Sequence, residues 1–365
     1  MVKVTKIILN SAKNLLILSH ICIKVYAYVR IWLVQKNILT SMKYTNDTIL
    51  KLFESALGQL QTPEEPELLY LPIIYSMSGG GKRLRPVLLL LTVDAFGGDV
   101  EAALPAGMAV EVFHNFTLLH DDIMDNAMMR RGQPSVYAKW GGNVALLSGD
   151  TMLIMAYKYL ARIGSEKLHR VLNIFSDMAI EVCEGQQYDM DFESAPKVTV
   201  EDYIQMIERK TSALLSGSAM IGATLAGASE DDIRKMYRFA TELGLAFQLQ
   251  DDMLDSYGDE ALGKKIGGDI LEGKQTYLMV QAMNRATAEE REVLRTTHKR
   301  TDISDAEKIS TIKALYDKLD VKRSTEQQIE IRFERALSVL DTLSIAGQRT
   351  KYLEEFARNL MGRKK

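Results

Sequence analysis

VFHNFTLLHDDIMD at residues 112–125 and LGLAFQLQDDMLD at residues 243–255 approach the same ending in the same way. Each runs through large apolar residues (Val112, Phe113, Phe116, Leu118, Leu119; Leu243, Leu245, Ala246, Phe247, Leu249) and closes on DDxxD. Apolar residues at helical spacing predict a helix in each case, and helices this apolar are buried. On such a helix the first and last aspartates of DDxxD stand about one turn apart on one face. Like charges at that spacing repel by about 0.2 to 0.5 kcal/mol per pair. A solvated acidic face would explain one such cluster. Asp121, Asp122 and Asp125, matched by Asp251, Asp252 and Asp255, instead place carboxylates at the ends of two buried helices, which is costly unless they are paired or bind metal. Magnesium fits, because it prefers carboxylate oxygens and keeps positions open for water and substrate phosphate.

The rest of the chain reads as helical too. Ala145–Ile163, Leu168–Tyr188, Val200–Leu225 and Asp231–Tyr257 carry Leu, Ile, Met and Ala at helical spacing, and no proline follows Pro196. Strand alternation is scarce. Thr62–Pro66, Gly79–Gly81, Phe96–Asp99, Gly141–Asn143 and Ser194–Pro196 mark loops. The predicted fold class is all-α. Length alone would suggest two domains, yet motifs from Gly80 to Thr276 have to converge on one site, which predicts a single helical domain over residues 43–365.

Cations lie near the acids in sequence. GGGKRLRP (79–86) supplies Lys82, Arg83 and Arg85 beside flexible glycines, Arg130 and Arg131 follow the first motif, and LGKKIGGDILEGKQT supplies Lys264, Lys265 and Lys274. Arginine forks, compact lysine charges and Mg²⁺ together suit a diphosphate. Nucleotide cradles are missing: there is no GxxxxGK[ST], and no GxGxxG follows a strand-like run. The net charge of −3 gives no reason to expect nucleic acid as a partner.

Taken in order, GGKRLRP (80–86), HNFTLLHDDIMD (114–125), RRG (130–132), Lys210-Thr211, GLAFQLQDDMLD (244–255) and GKKIGGDILEGKQT (263–276) resemble the trans-isoprenyl diphosphate synthases, or polyprenyl synthetases. The resemblance covers nearly all of residues 43–365. It implies a single-domain bundle of helices around a central cavity, and a homodimer. It also implies Mg²⁺, three ions per site, held by Asp121, Asp122, Asp125, Asp251, Asp252 and Asp255 on the diphosphate of an allylic substrate. Arg130, Lys210 and Lys264 would contact that diphosphate, with Thr211 and Gln248 lining the reacting carbons. Lys82, Arg85, His114 and Arg131 match positions for isopentenyl diphosphate, and Lys274 closes the site from the C-terminal side. Thr211 and Gln248 also suit ordinary helix positions, and His114 a satisfied core histidine.

The chemistry implied is ionisation of the allylic carbon–oxygen bond, attack on the cation by the isopentenyl double bond, and loss of a proton to the released pyrophosphate. It needs no protein nucleophile. Product length turns on Phe116 and Thr117, five and four residues before Asp121, with Phe113 as a second stop. Five helical residues rise about 7.5 Å, which sets Phe116 where a short isoprenoid tail would run. The expectation is C15 to C20, C20 ahead. Either phenylalanine also suits a plain core position, and a chain of C30 or more is the nearest alternative. A class I terpene cyclase would replace the second DDxxD by N/D-x-x-S/T-x-x-x-E, where this chain has DDMLD followed by SYGDE. A noncatalytic subunit tends to lose the aspartate motifs, which are intact.

Cys22 and Cys183 build no disulfide framework, so the catalytic domain reads as cytosolic, with Cys183 as a small buried side chain. Glu181, Glu184, Gln186 and Asp189 could face the site or the helix surface. Residues 1–42 contain no acid, carry Lys3, Lys6, Lys13, Lys24, Arg30 and Lys36, and interrupt every window long enough to span a bilayer. Three readings of them stay open: a signal or anchor, a basic amphipathic helix on a membrane, and translation beginning at Met42, which is favoured.

Overall fold

A computed structural model divides the chain into two compact units, residues 1–43 and 44–365. The structure describes residues 43–164, 166–258, 266–345 and 347–362. The expectations for residues 1–42, and those for Lys264 and Lys265, lie outside the described residues.

Helices build the second unit. Thr45 starts α1 (Asn46–Leu57) with a capping box to Thr48. Next come α2 (Glu67–Ser78) and α3 (Leu84–Ala95), in which every residue from Pro86 to Ala95 is buried. Asp99 accepts from the Glu101 and Ala102 amides and opens α4 (Val100–Met124), the helix of the first DDxxD motif. A two-residue hairpin, β1 (Met129–Arg130) against β2 (Gln133–Pro134), turns through Arg131 and Gly132, both at positive φ. That is the backbone a two-residue hairpin turn demands. It presents Arg130 and Arg131 beside the end of α4.

Short α5 (Val136–Trp140) and α6 (Gly142–Leu160) follow, then α7 (Leu168–Ser194). Periodicity predicts one helix over Val200–Leu225, but the structure breaks it. A five-residue π-helical turn, Glu208–Ser212, joins α8 (Val200–Ile207) to α9 (Ala213–Ala226). Lys210 and Thr211 sit in that turn, a kind of distortion that often marks functional sites. Ser229 caps α10 (Glu230–Tyr257), which carries the second DDxxD motif. Beyond it lie α11 (Gly268–Glu272), α12 (Tyr277–Arg285), α13 (Ala288–Thr296), α14 (Asp305–Lys318), α15 (Val321–Leu340) and α16 (Gly347–Met361). Apart from the hairpin, the described secondary structure is helical, as the pattern of the sequence requires.

α4 runs through the interior because it is apolar over most of its length, and α10 turns inward a face that carries Ile233, Met236, Phe239, Leu243 and Leu249. Among the described residues, α4 is the one helix long and apolar enough to cross a membrane, and 67% of its most apolar window is buried in the bundle. Tyr203, Ile207, Leu245, Leu249, Tyr277 and Val280 form a core cluster joining α8, α10 and α12 directly beneath the second motif. A second cluster (Ile270, Leu278, Leu294, Ile312, Tyr316) seats the C-terminal helices against α11. Cys183 departs from expectation. It is exposed, because it lies on the outer side of α7 while its neighbours Val182 and Gly185 point inward.

Gly185 is what lets α7 meet the π turn. A Cβ there would stand 2.2 Å from the Lys210 amide nitrogen and 2.6 Å from its Cα, and backbone cannot yield as a flexible side chain can. Gly185→Ala should therefore destabilise the protein by about 1 to 3 kcal/mol, as overpacking does, and lower activity further by displacing Lys210. Urea unfolding together with steady-state kinetics checks this; wild-type values in both would contradict the close approach.

Candidate active site

In both motifs the middle aspartate is the buried one. Asp122 and Asp252 are 2% and 4% exposed. Asp122 Oδ1 accepts from Arg130 Nε at 2.9 Å and NH2 at 2.5 Å. Asp252 accepts from the Tyr203 hydroxyl (2.5 Å), the Tyr277 backbone N–H (3.0 Å) and Gln248 Nε2 (3.0 Å). These carboxylates turn toward protein donors. Burial pushes Asp122 above the ordinary carboxylate pKa despite Arg130, and pushes Asp252 up to about 6 despite its hydrogen bonds.

The outer aspartates face elsewhere. Asp121 stands 3.7 Å from Lys210 Nζ and 4.0 Å from Arg130, ion-pair range but longer than a hydrogen bond. Asp125 is exposed, and its pKa is raised by partial burial and then by Asp121 close by, while the charges of Lys274 and Lys210 pull it down. Asp255 Oδ2 accepts from the Asp269 backbone N–H at 3.1 Å, and the Asp255 carbonyl from the Gly267 N–H at 2.7 Å, tying α11 to the end of α10. Burial, then the charges of Asp255 and Asp252, push Asp269 up to about 7. Lys274 bonds Glu272 at 3.0 Å and feels both Asp269 and Asp125, so it bridges the fields of the two motifs. Among the described residues no three acidic, histidine or cysteine side chains come together as a metal-holding group. Open carboxylate oxygens around cations suit Mg²⁺, which takes one or two carboxylates and completes its shell with water and phosphate.

Lys210 lies between acids. Its ammonium donates to Asp189 at 2.5 Å, and Asp121 and Asp189 hold its pKa up against burial. Thr211 Oγ1 donates to Gln248 Oε1 at 2.9 Å, so Thr211, Gln248, Asp252 and Tyr203 form one chain of hydrogen bonds. Of the segment 181–189, Asp189 joins the site, Glu184 pairs with Arg209 at 3.1 Å, and Gln186 reaches Met124 Sδ at 4.0 Å.

A second cluster, basic and centred on His114, adjoins these acids through Arg131, whose charge acts on Asp122. Arg85 NH1 lies 3.1 Å from His114 Nε2. Arginine can only donate, so Nε2 accepts, and burial followed by the charge of Arg85 keeps His114 well below its usual pKa and neutral. Burial lowers Arg85 to about 10, which leaves it charged at neutral pH. Arg131 donates to the Gly80 carbonyl. Its guanidinium lies 3.1 Å from where a Cβ of Gly81 would be, so the loop passes close over it. Lys82 is exposed at the loop's edge and lines a cavity of about 190 Å³ with Leu84, Val87, Phe356 and Leu360.

The sequence pattern of the family Polyprenyl synthetase matches residues 66–318. The chain belongs to that family, the trans-isoprenyl diphosphate synthases. It is an enzyme of the trans-prenyltransferase class. It is 38% identical over 298 residues to the geranylgeranyl diphosphate synthase of Sulfolobus acidocaldarius, covering 79% of this chain and 89% of that one. It is 32% identical to the geranylfarnesyl diphosphate synthase of Natronomonas pharaonis, covering 80% and 91%. A crystal structure of a geranylgeranyl pyrophosphate synthase superposes with a TM-score of 0.84 at 41% identity, covering 88% of this chain and all of that one.

No role for Asp269, Tyr203 or Glu111 follows from the motifs of the sequence, yet the fold brings them to the site. Asp269 carries a weak signal, an acid inside IGGDILEGK; Tyr203 and Glu111 carry none, because only the fold turns them toward Asp252 and Arg83.

The raised carboxyls set a pH dependence. A carboxyl whose folded pKa is raised stabilises the fold fully below its unfolded value, about 3.9, and loses that contribution as pH rises through the folded value. With EDTA present, stability should fall between about pH 5 and pH 7.5, and Asp269→Asn should flatten the upper part of the slope. Urea titrations across that window test this; wild-type stability that is flat or rising would contradict it.

Proposed function

We propose that the enzyme condenses isopentenyl diphosphate with dimethylallyl, geranyl or farnesyl diphosphate to give an all-trans product of C15 to C20, with C20 favoured. The observation that carries this is the contrast in make-up between two neighbouring anion-binding clusters. Acids with interspersed lysines (Asp121, Asp125, Asp255, Lys210, Lys274) suit a metal-bound diphosphate, whereas Arg85, Arg131, His114 and Lys82 suit a diphosphate held by cations alone.

Asp121, Asp125, Asp251 and Asp255 would hold Mg²⁺, three ions in our reading. When bound, Mg²⁺ supplies Lewis-acid neutralisation of the departing diphosphate. Asp122 and Asp252, also expected as ligands, would fix Arg130 and the Thr211–Gln248 chain behind those oxygens. Lys210, Arg130 and Lys274, joined by Lys264 by resemblance, would bind the allylic diphosphate and stabilise it as the carbon–oxygen bond breaks. Thr211 and Gln248 would line the resulting allylic cation. The double bond of isopentenyl diphosphate, anchored on the arginine cluster, then forms the new carbon–carbon bond, and the adjacent proton leaves to pyrophosphate.

Helix geometry supports the length. At about 100° per residue, Thr117 and Asp125 lie within about 40° of Asp121 around α4, whereas Phe116 is about 140° away. Thr117 is half-buried and donates to the His114 carbonyl at 2.8 Å. Phe116, 8% exposed, packs on the rings of His120 (4.6 Å) and Phe113 (5.4 Å), and Phe113 on Phe175 (5.3 Å). A small side chain on the metal face of α4, backed by an aromatic column, is the pattern we read as the floor for a tail of intermediate length. The relatives named as geranylgeranyl diphosphate synthases agree with C20.

A second copy of the chain is the proposed partner for the apolar side chains α6 and α7 expose, Leu147 (59%), Ile154 (62%) and Ile180 (58%). Cytosolic placement, read from cysteine usage, belongs to the same proposal.

Purified enzyme with Mg²⁺, isopentenyl diphosphate and each primer should give products ending at C15 or C20. Phe116→Ala should lengthen them by at least one C5 unit, and Thr117→Phe should shorten them. Products beyond C30 from the wild type, or variants that leave the distribution unchanged, would contradict the length argument.

A further inference from the structure

The loop that carries Lys82 and Arg85 has an unusual backbone. Gly80 and Gly81 have φ of +75° and +132°, and Arg83, with a full side chain, has φ of +49° and caps α3 without any side-chain capping bond. A non-glycine residue in the left-handed region costs about 1 to 2 kcal/mol, so something must hold it there. The Arg83 side chain turns inward, donating from NH1 to Glu111 Oε1 at 2.6 Å and from NH2 to the Met77 carbonyl at 2.8 Å. Arg83 and Glu111 are both buried, at 6% and 2% exposed, and Asn115 Nδ2 donates to the same Glu111 oxygen at 3.2 Å.

We propose that Glu111 is a positioning residue for the isopentenyl diphosphate site: by pinning Arg83 inward it holds the loop in the conformation that presents Lys82 and Arg85 to the diphosphate. This rests on the function proposed above. Glu111 lies one turn before His114 on α4, so a single helical turn supplies the acceptor for Arg83 and the acceptor for Arg85. The loop is thereby registered to α4 at two points, and Arg131 fixes it at a third through Gly80. Glu111 makes no contact with substrate in this scheme and acts through Arg83.

Three consequences of Glu111→Gln can be told apart. A strut predicts that KM for isopentenyl diphosphate rises about tenfold, as loss of a buried charge partner does, while KM for the allylic substrate and kcat stay within about twofold. A fall in that KM would make Glu111 merely an opposing charge, and unaltered KM values with a lowered melting temperature would make it merely structural; either overturns the proposal. Because one charge left alone in the core can unfold a protein, Arg83→Met with Glu111→Leu removes both together. It should fold and show the same selective loss in calorimetric binding of isopentenyl diphosphate; wild-type affinity there overturns the proposal. Wild-type protein that is folded but binds no isopentenyl diphosphate would instead overturn the functional reading, and with it the site Glu111 is said to position.

Discussion

Carboxylates at the ends of two buried helices repel one another, and the arrangement around them answers that repulsion. On an exposed helix such repulsion is worth about 0.2 to 0.5 kcal/mol per pair, and it grows where burial excludes water. Lys210 between Asp121 and Asp189, Arg130 on Asp122, and Lys274 in the fields of Asp125 and Asp269 offset part of it. Burial first, and neighbouring carboxylates after it, keep the pKa values of Asp125, Asp252 and Asp269 raised in the protein alone. A site left short of positive charge is poised for cations, and substrate phosphates can complete a shell that the protein leaves open.

The fold serves that balance through a few local departures from ideal helix. The π turn at Glu208–Ser212 sets Lys210 and Thr211 where a straight helix would carry them past the site, and Gly185 removes the side chain that would prevent it. The hairpin after α4 turns the chain back so that Arg130 reaches Asp122. Left-handed Arg83 sends its own charge inward while Lys82 stays exposed and Arg85 reaches His114. Each departure costs backbone energy and sits next to a charged group.

Much of this was legible in the sequence. The helical class and the apolar approach to each DDxxD follow from periodicity, which depends on neighbours along one helix. The family was legible because its motifs are short and ordered. What periodicity could not give is whatever depends on contacts across the bundle. The interruption of Val200–Leu225 is invisible in a pattern that stays apolar throughout. The outward turn of Cys183 depends on which side of α7 is covered, and composition does not record that. The division of labour within DDxxD, with the middle aspartate held by Tyr203, Tyr277 and Gln248 or by Arg130, needs residues from four separate helices and a hairpin.

The central claim is that the outer aspartates take a diphosphate through divalent cations. Calorimetric titration of inorganic pyrophosphate into wild-type enzyme and an Asp121→Asn, Asp255→Asn variant, each with and without Mg²⁺, addresses it most directly. The account predicts tight binding to the wild type only with Mg²⁺, and its loss in the variant. Equal binding with and without Mg²⁺, undiminished in the variant, would contradict it.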